Sequence, residues 1–250
     1  MIDLGLSTFA LVAIFCAFLV AGTVKGVIGA GLPMVAVPTV AMVLDPALAV
    51  AILIVPVVVS NVWQGFQGGL YREAFQRFWP FLLCLCIFVF GGAQVLANAD
   101  PRAMSLVMGI VVIVICAVQL LVGRIMIPVK TQHWLNPVAG AVCGIFGGVA
   151  GMLALTIVYS AALRLPKDLL ISLLALIALC GTTPLYASLI LNDVVGWREI
   201  GLSVLGLVPV LSGMAFGKWI RDRISQDSFE RILMVALVVI GLNLIRKGLF

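Results

Sequence analysis

Apolar residues run through this chain in blocks, not in alternation. Ten blocks stand out, at about 5–25, 32–45, 47–63, 78–98, 104–123, 134–149, 151–164, 168–191, 200–218 and 229–248. The stretch Leu-Val-Met-Gly-Ile-Val-Val-Ile-Val-Ile at 106–115 holds no polar side chain at all. Strands of a membrane barrel alternate in polarity, whereas a helix needs about 20 apolar residues to cross a ~30 Å hydrocarbon core. The pattern therefore predicts an all-α polytopic membrane protein with about ten hydrophobic segments, eight to ten of them spans. The blocks at 32–45 and 151–164 are short, about 13 residues or roughly 20 Å of helix. They are expected to be tilted, re-entrant or half-helices.

Each short block follows a glycine run. The first is Gly22-Thr23-Val24-Lys25-Gly26-Val27-Ile28-Gly29-Ala30-Gly31-Leu32-Pro33, and the second is Gly140 to Met152. At an offset of 118 residues, Gly22, Gly26 and Gly29 fall on Gly140, Gly144 and Gly147. Gly22/Gly26 and Gly140/Gly144 are GxxxG pairs, which by themselves indicate close helix packing. Packing does not explain the short blocks that follow. A glycine-broken apolar segment at matching places in two halves points to a transporter's binding site.

Further correspondences extend the repeat. Arg72-Glu73 and Arg198-Glu199 lie 126 residues apart, and Pro46 and Pro166 lie 120 apart. The halves read as 1–124 and 134–250, joined by a cytoplasmic linker at 125–133. Five segments per half is odd, so the second repeat is expected to be inverted, with broken helices at the repeat interface. Loop charge gives the orientation. With the N-terminus outside, the cytoplasmic side holds Arg72, Arg77, Arg124, Lys130, Arg164, Lys167, Lys218, Arg221, Arg223 and Arg231, and the outside holds Arg102, Arg198, Arg246 and Lys247. Ten against four follows the positive-inside rule. The basic C-terminus is the one conflict.

Composition agrees with the blocks and removes other classes. Of 250 residues 64% are hydrophobic and 10% charged, with a mean hydropathy of +1.27. A soluble domain carries about 25% charged residues. Net charge is +5, but the basic residues are scattered through short loops, so no nucleic-acid partner is expected. Asp3 stands where a signal peptide would carry base, and the first block reads as a retained span. The six cysteines lie inside apolar blocks without metal spacing, and His133 sits in a loop, so neither a metal nor another cofactor is expected. Trp63, Trp79, Trp134, Trp197 and Trp219 flank spans, as an interfacial belt does.

Candidate chemistry is sparse and clustered. Unwound backbone at Gly29, Ala30 and Gly31, and at Gly147, Gly148 and Gly151, would offer N–H groups to an anion, one nest per repeat. Lys25 has two readings. It either lines the site, against an insertion cost of about 2.5–3.5 kcal/mol at the bilayer centre, or it snorkels to the interface. Asn61 and Gln64 lie beyond Pro56, and Thr182, Thr183 and Tyr186 lie around Pro184. Their donors suit oxyanion oxygens, and interhelical hydrogen bonding is the plainer alternative. No nucleophile–base pair or metal cluster is visible, and all ten acids lie near span ends, so no enzyme is expected.

The Gly-x-x-x-Gly-x-x-Gly-x-Gly run from Gly22, with Pro38 following, resembles the N-terminal signature of the sulfite exporter TauE/SafE (TSUP) family. The Gly140–Gly151 run resembles that family's second half. The resemblance implies a bacterial inner-membrane carrier of sulfur-containing anions, such as sulfite or organosulfonates, and covers nearly the whole chain in size, repeat and loop-poor architecture. It carries the glycine positions and Pro38, and it selects no substrate. The expected function is a secondary transporter, exporter or facilitator, of such an anion. An anion channel is the alternative from another class, and a membrane scaffolding protein is a third.

Overall fold

The computed structural model describes residues 8–28, 31–65, 69–122, 127–221, 223 and 226–249. It is helical, and no strand occurs among the described residues. Eleven helices follow in order: α1 (Thr8–Ile28), α2 (Leu32–Ala41), α3 (Pro46–Ala51), α4 (Ile54–Gly65), α5 (Tyr71–Asn98), α6 (Pro101–Val122), α7 (Val129–Ala150), α8 (Ala154–Ala162), α9 (Lys167–Leu191), α10 (Trp197–Arg221) and α11 (Gln226–Leu249). Five of them, α1, α5, α6, α9 and α10, are long and apolar enough to cross a membrane. The bundle's outside is apolar too, with Phe15, Ile87, Leu205 and Val208 exposed, as a lipid-facing surface requires.

The third apolar block, 47–63, is not one helix. It divides at Ile52–Leu53 into α3 and α4. Pro56 has no N–H to return to the carbonyl of Ile52, so the helical ladder fails one turn before it. The Val55 N–H at the start of α4 is taken by the Ser203 hydroxyl of α10, 2.9 Å away.

Glycine contacts give the helix directions. Gly140, Gly144 and Gly148 of α7 meet the backbone around Phe81, Leu85 and Val89 of α5 in the same order, so the two run parallel. Gly22 and Gly26 of α1 meet Val210 and Met214 of α10, again parallel. Gly109 of α6 meets Gly241 of α11, and Gly248 meets Arg102 and Leu106, so this pair is antiparallel. At Gly22 and Gly140 a Cβ would strike a carbonyl of the facing helix, and only glycine permits this approach. The α5/α10 equivalence at these contacts is Phe81 with Val210, each just after an in-helix proline, Pro80 and Pro209. That register lies three residues on from the Arg72/Arg198 match, and Gly91 meets open space where Gly217 packs on α1.

The two short helices fold back. α7 starts where Arg77 Nη2 donates to Gln132 Oε1 at 2.9 Å, which we call the Arg77 end. α8 returns along it. Tyr159 Oη donates to Asn136 Oδ1 at 2.6 Å, and Ile127 N–H donates to the Ala162 carbonyl at 3.0 Å. α9 starts at the same end, where the Leu70 N–H meets Ser172 Oγ at 3.0 Å, and finishes with Asn192 bonded to Asn98 and Gln94 of α5. α10 therefore begins at the far end, and α1 with it. α2 returns to that far end, where Lys247 Nζ donates to the carbonyls of Ala41 and Leu44 at 2.8 and 2.9 Å.

The close glycine contacts make a prediction. Gly22→Ala and Gly140→Ala should each destabilise the protein by about 1–3 kcal/mol, because the added methyl meets backbone and not a movable side chain. Gly91→Ala, facing open space, should be neutral or slightly stabilising. Thermal unfolding in detergent compares the three.

Candidate functional site

The two hairpin turns rest on one residue each. Gly31 (φ 92°) lies between α1 and α2, and Gly151 (φ 65°) between α7 and α8. Both occupy the left-handed region, which costs glycine nothing. At Gly151 the turn is a Schellman motif: Met152 N–H donates to the Gly147 carbonyl at 3.0 Å and Gly151 N–H to that of Gly148 at 3.3 Å. Pro33 in the first turn of α2 suits a helix start. The equivalent breaks, Gly31 and Gly151, are 120 residues apart, in step with Pro46 and Pro166 and two residues off the GxxxG register. Both glycine ideas thus hold at different positions: the GxxxG pairs pack, and the chain breaks after them.

A cavity of about 90 Å³ lies where these turns meet α4 and α9. One water needs ~10–15 Å³ on the same measure, so the space suits an ion of a few heavy atoms. Gly31 to Met34 border it from one hairpin, and Gly151, Leu153, Ala154 and Thr156 from the other. In the first turn of α2 Pro33 has no N–H, and in that of α8 the Thr156 N–H goes to the Leu153 carbonyl at 3.1 Å, so the N–H groups of Leu32, Met34 and Ala154 are the ones without an intrahelical acceptor at its edge, with the positive ends of both helix dipoles. Val57 and Asn61 come from α4, and Thr182 and Tyr186 from α9.

Lys25 completes the lining. It is 5% exposed and the one charged side chain in the buried set of the described residues. Its Nζ donates to Ser60 Oγ at 2.9 Å and Asn61 Oδ1 at 2.8 Å. The Ser60 hydroxyl in turn donates a hydrogen bond to the Val57 carbonyl at 3.2 Å. An ammonium can only donate, so it fixes Asn61 with its oxygen toward Lys25 and its NH₂ free of that bond. These partners are neutral, and among the described residues no carboxylate forms an ion pair with Lys25. A buried cation with neutral partners beside a cavity is an arrangement that an anion completes.

Residues 14–244 match the family model described as Sulfite exporter TauE/SafE. The chain belongs to the TauE/SafE sulfite exporter family. No match was found among curated proteins or among solved structures.

Several sequence candidates of this TauE/SafE protein meet at the cavity: Lys25, Gly31, Asn61, Gly151, Thr182 and Tyr186. Others do not. Gly147 and Gly148 stay inside α7, where Gly148 packs on α5 and both carbonyls cap the helix end. They act through the turn and are not lining residues. Thr183, one position round the helix from Thr182, is exposed on the outside of α9. Gly29 and Ala30 lie outside the described residues, as does the side chain of Gln64. The snorkelling alternative for Lys25 does not fit its burial and its bonds to α4. Thr156 was missed from the sequence. It stands one turn beyond Gly151, the first hydroxyl after the second break, and that position was its only signal.

The charge logic is testable in this TauE/SafE protein. Lys25→Gln should weaken sulfite binding at least tenfold, while Lys25→Arg keeps most of it, since a charged hydrogen bond is worth about 1.5–3 kcal/mol. Asn61→Asp should weaken binding as strongly as Lys25→Gln although the lysine remains, because the new carboxylate supplies the missing counter-charge. Titration calorimetry on the purified protein measures all three.

Proposed function

We propose that the protein is a secondary transporter, an exporter or facilitator, of a small sulfur-containing anion such as sulfite or a short organosulfonate across the bacterial inner membrane. The observation that carries this reading is Lys25, buried without an ion pair among the described residues, at a cavity bordered by two helix N-termini. A sulfite-like group offers several oxygens to an ammonium, an amide and backbone N–H groups at once. Cavity size favours a compact anion over a large one.

The proposed architecture is two inverted repeats, 1–124 and 134–250; of the expected linker at 125–133, residues 129–133 belong instead to the start of α7, and His133 with them, because the helix begins directly after Pro128. Reciprocal pairings support it. α1 packs on α10 as α7 packs on α5, α2 touches α11 as α8 touches α6, and α6 faces α11. Opposite directions support it as well. The α1–α2 hairpin begins and returns at the Lys247 end, and the α7–α8 hairpin at the Arg77 end. An axis in the membrane plane then exchanges the hairpins and leaves the cavity between them. The ten-to-four split of basic residues is unchanged when α2 and α8 fold back, so the Arg77 end is assigned to the cytoplasm.

Energetics favour outward movement. No Asp, Glu or His is among the buried residues described, and first-turn acids Glu73, Asp168 and Glu199 sit at helix starts. Proton-coupled carriers usually carry such groups inside the membrane. A potential of 100 mV, negative inside, is worth about 2.3 kcal/mol per charge moved outward. A monoanion therefore leaves without a coupling ion.

Flux in proteoliposomes, with potential and pH gradient imposed separately, tests this. Sulfite efflux should follow the potential, saturate and show counterflow. Uphill accumulation driven by a pH gradient at zero potential would overturn the uncoupled mechanism.

A further inference from the structure

A second pocket, of about 880 Å³, opens at the Lys247 end. Arg102 of α6 and Arg246 and Lys247 of α11 line it, with Asn243, Asp45 and Asp100. Three cations face two carboxylates, yet no ion pair forms among these described residues. Asp100 is engaged elsewhere: its Oδ1 accepts the N–H groups of Arg102 and Ala103 at 2.8 and 3.1 Å, capping α6. Lys247 is held by the Ala41 and Leu44 carbonyls and lies within electrostatic reach of the Asp45 carboxylate. The guanidinium groups of Arg102 and Arg246 make no hydrogen bond or ion pair among the described residues. Two free guanidinium forks in one pocket match the oxygens of an oxyanion.

The location gives a second, independent reason. In the orientation proposed above, this end faces outward, where basic residues are disfavoured. Only four basic residues lie on that side, and three of them converge here. Lys247 also binds the C-terminal end of α2, the helix whose N-terminal end borders the central cavity. The pocket thus adjoins the outer side of the re-entrant hairpin, on the path an exported anion takes.

We propose that this pocket is a second, outer-face site for a small oxyanion, separate from the Lys25 cavity. The inference rests on the transport reading and its orientation. The oxyanion is either a free anion in transit or the phosphate of a lipid headgroup.

Sulfite-dependent thermal stabilisation of the purified full chain tests the site, with chloride at matched ionic strength as control. Ligands that bind the folded state raise its melting temperature through RT ln(1 + [L]/Kd) per site. Lys25→Gln should retain part of the wild-type upshift, and Arg102→Gln with Arg246→Gln should remove that part. The triple variant sets the baseline. Both arginines are exposed, so the double variant should melt like the parent without ligand. If Lys25→Gln alone reaches the triple-variant baseline, the second site does not exist and the cavity reading stands. If Lys25→Gln leaves the upshift intact and the arginine pair abolishes it, the cavity reading falls and the outer site remains. Repeating the titration in nanodiscs with phosphatidylglycerol separates the sources. Loss of only the arginine-dependent part identifies a lipid phosphate as occupant, and its persistence identifies the free anion.

Discussion

A helix that stops inside a bilayer must hand its loose backbone groups to some partner other than lipid. The helix ends of this chain, inside the bundle and at its two faces, mostly have an identifiable acceptor or donor. The last carbonyls of α7 are closed by the Schellman bonds at Gly151 and Met152. Lys247 takes the carbonyls at the end of α2, and Ile127 the carbonyl of Ala162 at the end of α8. Ser203 and Ser172 satisfy N–H groups where α4 and α5 begin. The N-terminal turns of α2 and α8 border the cavity instead. The cavity lies beside the helix starts whose first N–H groups have no intrahelical acceptor.

Close packing makes those stops affordable. Parallel contact of α1 with α10 and of α7 with α5 brings backbones together at Gly22 and Gly140, at a separation no side chain allows. Each hairpin is therefore clamped along its long arm before its short arm turns back. The cost of burying Lys25 is met in the same region by Ser60 and Asn61, which supply lone pairs but no charge. The structure holds the cation without an ion pair among the described residues.

The two hairpins differ in the polar groups they carry. Lys25 has Cys143 as its counterpart at the GxxxG register. The second half carries a different polar group, Tyr159, bonded to Asn136 and stacked on Phe81 with ring centres 5.0 Å apart.

From the sequence alone, block length and the absence of alternation determined an all-helical membrane protein, and each glycine run marked a place where the chain breaks. Lys25, Asn61, Thr182 and Tyr186 were legible because polar residues are rare inside apolar blocks and each stood near a helix breaker. The tertiary structure decided what local pattern does not encode. Gly147 and Gly148 look like Gly151 in sequence, but a facing helix presses on Gly148, and only Gly151 takes a positive φ. Thr182 and Thr183 are equivalent as letters, but one residue of rotation, about 100° on a helix, sends one to the cavity and the other to the surface. Lys25 could have faced lipid headgroups or a cavity. Its direction was fixed by Ser60 and Asn61, 35 and 36 residues away in the chain and brought beside it only by the fold.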